Sequence, residues 1–62
     1  MTYQEERQAM KDGYNEAKYR KEVLNIKPEK IIITAEWATY DHSFIWAQGF
    51  NAFCEGVKYE EL

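Results

Sequence analysis

The sequence predicts a small, mostly helical α+β fold, with a helix (2–24), a strand (31–40) and a second helix (43–57) in that order. Three observations carry the prediction. Residues 2–24 and 43–57 place apolar side chains at helical spacing. The only proline, Pro28, lies in the segment between them. After it, Ile31, Ile32, Ile33 and Thr34 form a run of β-branched residues, a composition that suits a pleated strand. With 62 residues the chain makes one domain, 1–62, and a domain of this size buries only about 60% of the surface its unfolded chain exposes.

The first helix opens on a capping box. Thr2 is placed to cap the first turn, and Glu5 to reach back to the Thr2 backbone N–H. Tyr3, Met10, Tyr14, Ala17 and Leu24 then share one side, with Arg7, Lys18 and Lys21 able to lay their methylene stems along its edge. Glu16 and Arg20 have the favourable charge order for a pair four residues apart. Tyr19, Val23 and Ile26 fall nearly opposite the main stripe, which predicts burial of the last turns on both sides. Pro28 disfavours helical geometry at Lys27, so the helix ends before it.

In the strand, alternation puts Ile31, Ile33, Ala35 and Trp37 on one face and Thr34, Glu36 and Tyr40 on the other. A single strand leaves backbone N–H and C=O groups unpaired along both edges, so this reading pairs it with its copy across a homodimer. The alternative is a three-helix bundle. Pro28 suits the first turn of a helix, and Ile33, Trp37, Tyr40 and Phe44 also fit a helical stripe.

In the last helix, Trp46, Phe50, Phe53 and Val57 line up as a core stripe, beside a second stripe of Ile45, Gly49, Ala52 and Gly56. The small residues there predict a close helix approach at Gly49. Gly13 has the same setting in the first helix, since Gly13-Tyr14-Asn15 echoes Gly49-Phe50-Asn51. Asp41 or Ser43 supplies the N-cap and Gly56 the stop. The apolar arc is wider than one packing partner covers, so two bodies should pack on this helix. Residues 58–62 are an acidic tail expected to fray, with Tyr59 docking back.

For function, the residues exclude more than they assign. Cys54 is the only cysteine and His42 the only histidine, which gives neither an internal disulfide nor a Cys/His zinc set. Asp41, His42 and Ser43 are adjacent in the chain, and adjacent residues do not face one another as a nucleophile, base and orienting group must. The glycines at 13, 49 and 56 are too scattered for a phosphate-binding loop. No catalytic, cofactor-binding or metal-binding residue is therefore predicted. Net charge is −3, and residues 41–62 carry all of it. Lys18, Arg20, Lys21, Lys27 and Lys30 are interleaved with Glu22 and Glu29, which is not the strong basic footprint of a nucleic-acid binder. No apolar run approaches the roughly 20 residues that span a bilayer, so the expectation is a cytoplasmic protein with no membrane partner.

What remains is a surface. The sequence reads as a small non-enzymatic protein-binding module, an inhibitor or modulator of a larger protein, of the host-modulating type that phages use. The binding surface is placed at Trp37, Tyr40, Asp41, Phe44 and Glu55, where aromatic and acidic residues combine. Gly13 and Gly49 are assigned to helix packing. The runner-up is a dimeric nucleic-acid-binding regulator.

Overall fold

Two helices of unequal length, α1 (Tyr3–Glu22) and α2 (Ser43–Cys54), form the body of the protein. The computed structural model describes residues 2–36 and 43–62, and among these no residue belongs to a strand.

α1 starts where the sequence places its cap. Thr2 is extended and its Oγ1 accepts the Glu5 backbone N–H at 3.2 Å, which satisfies one of the free donors of the first turn. Glu5 and Glu6 lie in that turn and Arg20 and Lys21 in the last, the charge order that the helix dipole favours. Asn25 ends the helical course in a left-handed conformation, φ 56°, and the Ile26 N–H turns back to the Arg20 carbonyl. Asparagine is among the few residues that adopt this conformation readily. α2 ends at Cys54, three residues before the expected boundary. There Gly56 has φ 84°, its N–H bonds the Phe53 carbonyl, and the Val57 N–H bonds the Ala52 carbonyl, both at 3.0 Å. This is the Schellman pattern, and it satisfies carbonyls that the end of the helix leaves free.

The helices run in the same direction. Glu5 and Ala9 share a cleft with Ser43 and Trp46 at one end, and the Lys21 ammonium lies over the Phe53 ring at the other. They cross at two glycines. A Cβ on Gly13 would overlap the Trp46 carbonyl oxygen and stand 2.8 Å from its carbon. One on Gly49 would overlap the Met10 carbonyl oxygen and stand 2.7 Å from that carbon. Each glycine therefore receives a backbone carbonyl of the other helix. Ala17 and Ala47 are fully buried near this crossing, with Phe50, Tyr14 and Ala9 also in the core. Aromatic rings flank it, Tyr14 edge-on to Phe53 at 5.2 Å and Trp46 stacked on Phe50 at 5.6 Å. Past α2, the Tyr14 hydroxyl donates to the Val57 carbonyl at 2.9 Å. Tyr59 opens a short 3-10 turn (Tyr59–Glu61) and packs against Tyr14.

Two expectations about burial need correction. Tyr3 and Leu24, placed on the core stripe, are 69% and 48% exposed. The cause is length, since 20 residues of α1 extend about 30 Å and 12 residues of α2 only about 18 Å. Tyr19, Val23 and Ile26, expected to be covered on the far side, are 48%, 63% and 57% exposed, because α2 packs on the opposite side of α1 and no further helix or strand among the described residues covers this one.

The α+β fold class is also corrected. Residues 31–34 make no ladder, and Ala35 and Glu36 have 3-10 geometry; residues 37–40 of the expected strand lie outside the described residues. The Asn51 carboxamide takes both backbone groups of Ile31, accepting its N–H at 2.6 Å and donating to its carbonyl at 2.9 Å. One side chain thus meets the need that a neighbouring strand was invoked to meet. Among the described residues, 31–36 offer no strand through which pairing across a homodimer could act. The architecture is helical and closer to the bundle alternative. The second body on α2 is the chain's own return segment, which the Cys54 thiol meets at Pro28 and Glu55 at Lys30.

Candidate interaction surface

Besides Ile32 and Tyr3, the most exposed apolar side chains belong to the end of α1 and the residues just after it. Tyr19 and Val23 stand on the free side of the last turns, and Leu24 and Ile26 follow across the reversal at Asn25. A helix-terminal strip of this kind is expected to be covered by something, because soluble monomers seldom leave large contiguous apolar patches bare.

On the side of α1 that faces α2, the return of the chain leaves a cavity of about 370 Å³. Ile26, Pro28 and Phe53 supply its apolar walls, and Lys21 and Lys27 are the charged groups in its lining. Cys54 also lines it. Its thiol donates to the Pro28 carbonyl at 3.6 Å, and burial pushes its pKa up, opposed by the nearby Lys30 ammonium. The thiol is therefore neutral near pH 7 and adds no negative charge. A second cleft of about 350 Å³, between Glu5, Gln8, Asp12 and Trp46, has the opposite character, with carboxylates in its lining.

The residues assigned to protein binding from sequence do not form one cluster. Phe44 is in the first turn of α2 and 37% exposed. Glu55 follows the other end of α2, about 16 Å away along the helix axis, with its carboxylate paired to the Lys30 ammonium. Trp37, Tyr40 and Asp41 lie outside the described residues. Gly13 and Gly49 meet at the helix crossing. Sequence reasoning did single out Tyr19, Val23 and Ile26 but read them as buried. The signal that could have exposed them was their position opposite the stripe that meets the other helix.

Among the described residues, no His, Cys, Asp and Glu side chains gather in a group of three or more that could hold a metal ion, and no helix is long and apolar enough to cross a membrane. Comparison with protein-family models, curated proteins and solved structures finds no match for this chain.

Proposed function

We propose that this chain is a small non-enzymatic protein-binding module, an inhibitor or modulator of a larger protein, and that it makes its contact through the end of α1. The observation that carries the reading is the exposed strip of Tyr19, Val23, Leu24 and Ile26. Tyrosine is enriched among interface residues that carry binding energy, because its ring buries large area and its hydroxyl tolerates a wet rim. The reading includes a cytoplasmic location, which the free thiol of Cys54 supports. The nucleic-acid alternative has less to support it, since the basic side chains of residues 18–30 are interleaved with Glu22 and Glu29.

The test is affinity capture from a host lysate by the native chain, compared with Val23→Asp and Tyr19→Ala. Both side chains are exposed, so the melting temperatures should stay close to that of the parent. Loss of the captured protein with folding intact is the expected result. Capture unaffected by both substitutions would dismiss the strip as the contact.

A further inference from the structure

We propose that one flank of α1, from the cleft beside Trp46 to Tyr19 and Val23, is a docking surface whose occupant is a basic, apolar peptide segment of another protein. This rests on the protein-binding reading and adds the chemistry of the partner. The argument is charge complementarity. At about 100° per residue, Glu5, Asp12, Glu16, Tyr19 and Val23 fall within an arc of about 60° along α1. No lysine or arginine of the helix lies in that arc. Arg20 stands at its edge and bonds Glu16 at 3.0 Å. Asp12 accepts from the neutral Gln8 amide at 2.8 Å, a bond that leaves its charge unbalanced. Glu5 and Asp12 line the cleft of about 350 Å³, and the half-buried Trp46 is its aromatic wall. A lysine or arginine of the incoming segment would enter there, drawn by the carboxylates and by the indole ring, which attracts cations. Farther along the same line, with Val23 about 17 Å from Asp12, its apolar side chains would cover Tyr19 and Val23, both mostly or half bare. A second copy of this chain is a poorer occupant. Arg7, Lys11, Lys18 and Lys21 gather on the other flank of α1, but three of these cations already lie over Tyr3, Tyr59 and Phe53 of their own chain. Nucleic acid would bring like charge to the carboxylates.

The probe is a fluorescein-labelled peptide of lysine and leucine, titrated against the full chain by anisotropy, with matched peptides carrying glutamate for lysine or serine for leucine. Only the lysine–leucine peptide should bind. Asp12→Lys, and separately Val23→Ser, should weaken it by about tenfold or more, and binding should weaken as added salt shortens the screening length below about 10 Å. Lys18→Glu, added to Asp12→Lys, restores the net charge of −3 from the other flank and should not restore binding. Thermal melts accompany each variant, and Asp12 and Val23 are both exposed, so either keeps the test open if the other variant unfolds. Equal binding of the leucine and serine peptides, no loss with Asp12→Lys, or recovery in the double variant overturns the proposal, since overall charge would then explain the attraction. So does a light-scattering mass of two chains that Val23→Ser returns to one, and so does tighter binding of duplex DNA than of the peptide. If only the glutamate peptide binds, and Val23→Ser abolishes it, the basic class fails while the protein-binding reading stands. A lysate partner captured as well by Tyr19→Ala and Val23→Asp as by the native chain removes both.

Discussion

Gly13 and Gly49 decide how close the two helices come, and their surroundings set the sign of a substitution. At an exposed interior position, Gly→Ala gains roughly 1 kcal/mol of helix propensity. Here the added carbon would meet a backbone carbonyl, which cannot rotate aside as a side chain can. Overpacking typically costs about 1–3 kcal/mol, so Gly49→Ala and Gly13→Ala are both expected to destabilise despite the better helix former. For a domain of this size, 1 kcal/mol corresponds to about 4–8 °C in melting temperature. Thermal melts of the two variants check this, and a rise in either melting temperature would mean that the helices part readily enough at the crossing to admit a methyl group. Gly56→Ala provides the contrast. No atom stands near its Cβ position, and the cost there comes only from holding a left-handed conformation.

At the scale of elements, the chain between the helices is fixed by one polar side chain. Asn51→Leu leaves the Ile31 N–H and carbonyl without their partner in a half-buried position, at a cost of about 1–3 kcal/mol for each group that stays dry. Amide exchange at Ile31 should accelerate in this variant well beyond the change in global stability, and exchange that tracks global unfolding alone would show that the clip is dispensable. The same bond explains what the sequence could and could not convey. The isoleucine run did indicate a non-helical course with alternating burial, since Ile31 and Ile33 are half-buried and Ile32 is 82% exposed. Hydrogen-bond partners are not written in that pattern, and Asn51 lies twenty residues away. Helix ends were legible because Thr2 and Gly56 act within a turn of themselves. The fate of Tyr3 and Leu24 was not, because it depends on where a shorter helix stops, which periodicity along α1 does not contain.

For the whole molecule, the parallel course of α1 and α2 separates two candidate contact surfaces to opposite ends. Phe44, taken from the sequence as a recognition anchor, belongs to the end where Ser43 meets Glu5 and Ala9; Val23 belongs to the end where Lys21 meets Phe53. Phe44 is about two-thirds covered, whereas Val23 is mostly bare. Removing a covered aromatic side chain forfeits burial at roughly 25 cal/mol per Å², on the order of 2 kcal/mol for a ring covered to this degree. Phe44→Ala should therefore lower the melting temperature by several degrees and leave capture of the partner intact at temperatures where the variant is folded. Val23→Asp should do the reverse. Paired melts and binding titrations of the two variants measure both quantities on the same samples. If Phe44→Ala abolishes binding with an unchanged melt while Val23→Asp binds normally, the contact belongs to the start of α2, and the exposed end of α1 loses its assigned role.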